Sequence, residues 1–542
     1  MRRWVKWGLA AGAVVLLLVA GAAVVIPLLV DTPRIQSYVA STASQALGRP
    51  VKFSGLSIRV LPLPAIELRD LEVAEDPKFG TTPFLRLERG LIRLQLMPLL
   101  TGRIELGDVV LRKPAVTVVQ TADGRLNIAS LGSTAEPRSP SRPGKGSGGG
   151  SSAAGAALAT RISIDHGTVT YVARGASDRV AQYRLEGLDL KLTSGGTQIT
   201  FKGDARLLPG AVALKVTDGI VSLTPGRTLT DAPVRAKVAI DGKDIRDLTA
   251  VAVGPSPELG GAIKGTLTVA GTVGVPTAAG DIQLSPLTAT QNSPQCAEPR
   301  RRTLTIPTLA LKAAWQSPRF TGKPLTATLG GGTVTAQLAA TLDRGIHVQL
   351  ADLDIKALPL DKVLVDYLCE GYAVTGPLDL TGALSFETRD VLNTLNGPGK
   401  LRVGSGKVVG PRALALVSSM ARVGGALSAV LGSDMPSGTL GSPLEFESIT
   451  GTYTVTNGLV TTRDLLYTSR VMKVAVAGEY GLGTGAMNLD LVVNHKQGEM
   501  KAKVTGTASA PVVRVSTSSI LKSVDPDKTE KGLRDLLKRF KK

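Results

Sequence analysis

Aromatic side chains are scarce in this chain: 8 Phe, 8 Tyr and 3 Trp among 542 residues. Aromatics carry much of the buried area of compact cores, so a set of thick globular cores is disfavoured. Plentiful Val, Leu, Ile, Thr and Gly favour many short strands instead. Cysteine is nearly absent as well. Cys296 and Cys369 form no metal or redox pattern; in an oxidising compartment they would make one disulfide, and otherwise they stand as two isolated thiols. Histidine is limited to His166, His347 and His495, on strand-like runs or their ends, without a second ligand at metal spacing. A strand-edge position accounts for each.

Motifs for chemistry are missing too. There is no GxxxxGK[ST] phosphate loop and no GxSxG elbow. Gly406-Lys407 is superficially like the end of a phosphate loop, but Leu401 stands where the first glycine is needed and Val408 where the hydroxyl is needed. Asp352 and Asp354 share a strand parity, as a pair of acid–base carboxylates would. The apolar phase changes near Ala351, however, which implies a bulge or strand break there and two solvated aspartates. No catalytic residue, metal or cofactor is expected, and an enzymatic role in modifying wall or lipid lacks a constellation to carry it.

What the chain does have begins with residues 8–30, a run of 23 residues without a charged side chain. As a helix rising about 1.5 Å per residue it measures roughly 34 Å, enough for a hydrocarbon core of about 30 Å. Arg2, Arg3 and Lys6 precede it, and Trp4 and Trp7 fit an interfacial belt. Basic flanks stay on the cytoplasmic side, so the body is expected to be exported. A cleaved signal peptide ending near Ala20-Gly21-Ala22 is the alternative, but the apolar run continues past it. The formal charge of +19 would suit nucleic acid. Export turns that expectation to anionic lipid headgroups, with no nucleic acid.

Asp31-Thr32-Pro33 is a helix start, and Ile35, Tyr38, Val39, Ala43, Ala46 and Leu47 follow at helical spacing up to a stop at Gly48. From Arg49 the period becomes that of strands. Ile92, Leu94 and Leu96 share one face; Val116 and Val118 alternate after Pro114; Leu188, Leu190 and Leu192 repeat the rule. Turn signals such as Gly195-Gly196 and Asn457-Gly458 divide the runs. Residues 132–158 are poor in large apolar groups and rich in Gly, Ser and Pro, the composition of a flexible linker. Helical insertions are expected at residues 360–369 and 413–431.

Several of these stretches, in order behind one N-terminal span, resemble the AsmA family. They are Gly48-Arg49-Pro50-Val51, then Leu68-Arg69-Asp70-Leu71-Glu72-Val73, then Leu106-Gly107-Asp108-Val109-Val110-Leu111-Arg112-Lys113-Pro114, then Asp123-Gly124-Arg125-Leu126-Asn127. Towards the C-terminus, Gly404-Ser405-Gly406-Lys407-Val408, Phe446-Glu447-Ser448-Ile449-Thr450-Gly451 and Met487-Asn488-Leu489-Asp490-Leu491 are similar to that family's C-terminal pattern. The resemblance implies a mostly β protein: an N-terminal transmembrane helix followed by an elongated, twisted β-sheet groove with a few short helices. It also implies phospholipid carried from the inner towards the outer membrane, or a part in outer-membrane protein assembly without lipid transfer.

The organisation expected is a cytoplasmic tail (1–7), a transmembrane helix (8–30), an N-terminal AsmA-like β module (31–131), the linker (132–158), a middle groove region (159–399), a C-terminal module (400–520) and a terminal helix (521–542). Roughly 25 strands about 4.8 Å apart would make a groove about 120 Å long. Ile92, Leu94, Leu96, Val116, Val118, Leu188, Leu190 and Leu192 are the candidate lining. In the terminal helix, Leu533, Leu536, Leu537 and Phe540 form an apolar stripe beside Lys538 and Arg539. That pattern suits an anionic membrane, an envelope protein partner, or a plain cap on the last strand. The expected location is the inner membrane, single-pass, with the body in the periplasm.

Overall fold

In the computed structural model the described residues are 32–59, 65–95, 106–121, 123–131, 161–174, 180–224, 227, 229–342, 345–410, 412, 445–470, 472–495 and 498–515. The expected membrane span, the linker, the 413–431 helix and the terminal helix with Leu533, Leu536, Leu537, Lys538, Arg539 and Phe540 lie outside them. Among the described residues no helix is long and apolar enough to cross a membrane. Strand is the dominant state. The chain divides into two compact units, Met1–Lys243 with Thr266–Ala278, and Asp244–Gly265 with Ala279–Lys542. Their boundary falls inside the stretch read from sequence as one middle region.

The first unit opens with helix α1 (Thr32–Leu47), where the Thr-Pro start and the apolar spacing place it. Gly48 ends it with φ 67°, and the Arg49 N–H donates back to the Ser44 carbonyl at 3.2 Å, the left-handed glycine stop of many helices. Ser44 Oγ accepts the Val51 N–H at 2.9 Å, which aims the chain into β1 (Val51–Lys52). Strands β1 and β2 (Gly55–Arg59) both pair with β3 (Ala65–Val73). The ladder continues through β4 (Leu85–Leu94), β5 (Leu106–Gln120), β6 (Arg161–Arg174), β7 (Val180–Gly195), β8 (Gln198–Leu208), β9 (Val212–Ser222) and β10 (Val234–Gly242). Every step is antiparallel except β5–β6, which is parallel. A parallel neighbour needs a crossover connection between the end of β5 and the start of β6.

A buried polar joint ties α1 to this sheet. Arg49 Nη1 lies 2.8 Å from Glu75 Oε1, with both side chains almost fully buried. Arg49 Nη2 donates to the Asn127 carbonyl at 2.6 Å, and its guanidinium lies 4.8 Å from the Phe84 ring centre. Asn127 Nδ2 donates to Glu75 Oε2 at 2.6 Å and its Oδ1 accepts the Val119 N–H at 3.0 Å. The Gly48-Arg49-Pro50-Val51 and Asp123-Gly124-Arg125-Leu126-Asn127 motifs thus meet in space.

In the second unit, β11 (Glu258–Gly271), which runs through both units in sequence, follows the short helix α2 (Arg246–Ala252). Strand β12 (Pro276–Asn292) pairs with β13 (Arg301–Ile306) and β14 (Thr308–Gln316). Antiparallel steps then lead through β15 (Arg319–Leu329), β16 (Gly332–Leu342), β17 (Ile346–Pro359), β18 (Pro377–Glu387) and β19 (Gly397–Val403). Strands β20 (Gly406–Lys407) and β21 (Glu445–Phe446) pair only with each other. The main ladder resumes from β19 with β22 (Ser448–Thr456), β23 (Leu459–Thr468), β24 (Met472–Gly481), β25 (Ala486–His495), β26 (Gly498–Thr507) and β27 (Ala510–Val515).

The turn at Asn457-Gly458 joins β22 to β23 in two residues, with Thr456 facing Leu459. Both turn residues have positive φ, 48° and 75°, the conformation that matches strand twist in a tight hairpin. A Cβ on Gly458 would lie 2.0 Å from the Leu392 carbonyl oxygen. Gly458→Ala is therefore expected to cost about 2 kcal/mol of local stability, read as faster hydrogen exchange in β22 and β23. Unchanged exchange there would contradict the turn assignment.

Candidate functional site

The alternation read from sequence gives the first unit's sheet one apolar and one polar face. Along β8, Ile199, Phe201, Gly203, Ala205 and Leu207 are half-buried, while Thr200, Lys202, Asp204 and Arg206 are exposed. Register aligns the apolar positions across strands. Ile92 faces Val109, Val109 faces Ile162, Ile162 faces Leu192 and Leu192 faces Phe201. The next row runs Leu111, Ile164, Leu190, Gly203 and Val216. A further row joins Val116, Val169, Leu185 and Leu207. At Gly167 the packing can be seen directly: a Cβ there would lie 2.8 Å from Ile164 Cγ2, 3.3 Å from Pro114 Cγ and 3.4 Å from Leu188 Cβ.

The candidate residues therefore fall on one surface. Ile92, Val116, Val118, Leu188, Leu190 and Leu192 are all half-buried members of it. Leu94 ends β4 opposite Leu106, its side chain lying outside the described set, as does Leu96 altogether. Sequence reasoning passed over Val169, Leu185, Phe201 and Val216, although each obeys the same alternation. Tyr171 faces Val118 and Tyr183 across the ladder. Burial pushes both tyrosine hydroxyls above their ordinary range, and Tyr171 donates to Gln120 Oε1.

No described element makes an extended packing contact across β6 to β9. Both buried apolar clusters among the described residues belong to the second unit: Leu360, Val403 and Phe446 form one, and Met487, Leu491, Ala502, Val504 and Ala508 the other. In the first unit the apolar face is amphipathic sheet without a covering layer among the described residues. The second unit's sheet has a comparable half-buried set on β14 to β18, where Leu311 faces Leu325, and Leu338, Leu350 and Leu384 form a row.

Bulges keep the apolar face in phase along these long strands, and aspartates hold them. The His166 N–H donates to Asp189 Oδ1 at 2.8 Å, the Ala357 N–H to Asp379 Oδ1 at 2.9 Å, and the Thr452 N–H to Asp464 Oδ1 at 2.8 Å. Each lies at a register shift. Accepting the Thr452 N–H and hydroxyl holds the Asp464 carboxyl below its ordinary value. Leu-Asp-Leu stands at 188–190 and 378–380, but also at 489–491, where the ladder has no register shift, so the tripeptide alone does not mark a bulge.

The phase change near Ala351 is such a bulge, with Asp352 at φ 48° and register shifts on both sides of β17. Asp352 accepts from Gln337 Nε2 at 2.5 Å, whereas Asp354 pairs with Lys356 at 2.9 Å. The two carboxylates thus hold separate partners. His347 Nδ1 lies 3.1 Å from Glu387 Oε1, and the His166 ring lies 3.7 Å from Asp189 on the exposed polar face. The His495 side chain lies outside the described set. Among the described residues no group of three or more His, Cys, Asp or Glu is placed to hold a metal ion. Cys296 and Cys369 are bonded to each other, with Cα atoms 5.3 Å apart.

What the geometry can do is hold apolar chains: a ribbon of half-buried Leu, Ile and Val, backed by hydrogen-bonded strands and without a covering layer among the described residues. Residues 1–258 match the AsmA family model. No curated protein matches the chain.

Proposed function

Because this chain belongs to the AsmA family through residues 1–258, we propose that it is a membrane-anchored envelope protein that binds phospholipid acyl chains. The chains would lie along the apolar sheet face and move from the inner towards the outer membrane. The observation that carries this reading is the face of β6 to β9, which no packed layer covers among the described residues, with Leu188, Leu190 and Leu192 at its centre. Such a face is costly in water. Covering one half-buried leucine with an acyl chain gains roughly 1 kcal/mol, and the rows offer many such contacts without any covalent chemistry. Residues 8–30 supply the anchor in this reading, with the body in the periplasm.

The purified full chain is expected to carry phospholipid and to pass a labelled phospholipid from donor to acceptor vesicles faster than the spontaneous rate. A chain that is free of lipid and leaves the transfer rate unchanged would overturn the proposal.

A further inference from the structure

Strands β17 and β18 are paired up to Pro359 and Pro377, so two to five residues would be enough to join them. The chain instead uses residues 360–376, and these run to both ends of the second unit's ladder. The first part is a π-helix, Asp361–Tyr367. The Tyr367 carbonyl accepts from Gln291 Nε2 on β12 at 2.8 Å. Cys369 is then bonded to Cys296 in the connection between β12 and β13. Three residues later the Tyr372 hydroxyl donates to the carbonyl of Ala508, in the β26–β27 turn, at 2.9 Å.

Ten strand spacings of about 4.8 Å separate β13 from β26 along the ladder, about 48 Å if the sheet were flat. Three residues of chain between Cys369 and Tyr372 reach no more than about 11 Å. The second unit's sheet is therefore rolled, and the connection is a strap across its inside. Its side chains fill the apolar face there. Leu360 packs with Val403 and Phe446, against Leu378, Leu401 and Ile449. Tyr372 packs on the cluster around Met487 and Val504. The first unit's face has no such occupant among the described residues.

Building on the acyl-track reading, we propose that residues 360–376 are a gate on that track, latched by the Cys296–Cys369 disulfide. With the latch closed, Leu360 and Tyr372 occupy the positions that acyl chains would take on β18 to β26. A dithiol reductant opens it by thiol–disulfide exchange. One thiolate attacks a cystine sulfur to give a mixed disulfide, and the second thiol resolves it. The dithiol leaves as its disulfide, and Cys296 and Cys369 each keep a proton as thiols. The strap is then held by hydrogen bonds and packing alone.

The test uses the full chain with a phospholipid carrying a diazirine in its acyl chain, with and without dithiothreitol, and maps labelled residues by mass spectrometry. The oxidised chain is expected to label at Leu190 and not at Leu378 or Leu401. Reduction is expected to raise labelling at Leu378 and Leu401 at least fivefold, leave Leu190 unchanged, and speed hydrogen exchange across residues 360–376. Cys296→Ser with Cys369→Ser should behave as the reduced chain without reductant. Equal labelling at Leu378 and Leu401 in both redox states, or a strap that stays protected after reduction, would overturn the gate while the track stands. No labelling at Leu190 in either state would remove the track, and the gate with it.

Discussion

Leu190→Asp is expected to abolish acyl-chain binding by the first unit while leaving that unit folded. Leu190 sits in the middle of the row between Ile164 and Gly203 and is only half-buried. In the lipid-free protein a carboxylate there can reach water, so the loss of stability should stay near 1–2 kcal/mol. With an acyl chain laid over it the carboxylate must be desolvated or admit water into the track, at a cost of several kcal/mol. Lipid occupancy should therefore fall by more than tenfold. Lys191→Asp, one residue away on the polar face, should leave occupancy unchanged. The readouts are co-purified phospholipid per chain and hydrogen exchange over β6 to β8. Loss of protection throughout those strands in Leu190→Asp would mean a packed core, and wild-type lipid content would mean a surface without a role.

The second large effect is on stability. Glu75→Ala removes the carboxylate that lies 2.8 Å from the nearly fully buried Arg49 guanidinium, and the acceptor for Asn127 Nδ2 and the Asp76 N–H. Removing one partner of a buried ion pair typically costs about 3–5 kcal/mol, because the other charge stays desolvated. Protection should collapse in α1, β1 and around Val119, whose N–H is held by Asn127. Glu72→Ala is the contrast. Its partner Arg86 lies at 3.4 Å, and both side chains are largely in water; such exposed pairs contribute under about 1 kcal/mol. Equal effects of the two substitutions would show that the buried joint does not hold the helix to the sheet.

Local signals were legible in the sequence. The Asp-Thr-Pro start and Gly48 stop bracket α1 as found, the Asn457-Gly458 turn is a two-residue hairpin, and the broken parity at Ala351 is a bulge. These depend on one segment's own propensities and period. The apolar face was legible for the same reason, because alternation fixes which residues share a side whatever strand lies next door.

Pairings set by distant segments were not legible. Arg49 and Asn127 stand 78 residues apart, and nothing local says that the two motifs meet around Glu75. The cysteines are separated by 73 residues, so bonded and isolated thiols were equally open. Helical spacing marked residues 360–369. It did not reveal the π-type bond from the Leu368 N–H to the Val363 carbonyl at 2.9 Å, nor where the segment goes. Periodicity reports a face and not its occupant, which is why the strap over the second unit's sheet came only from the structure.

The most direct measurement of the central claim is a residue-level map of acyl-chain contact in the first unit, made with the diazirine phospholipid on the oxidised full chain. The account predicts labels on Ile92, Val116, Leu188, Leu190 and Leu192, and none on Asp189, Lys191 or Lys202, which lie on the other face of the same strands. Labels distributed evenly over both faces would contradict it.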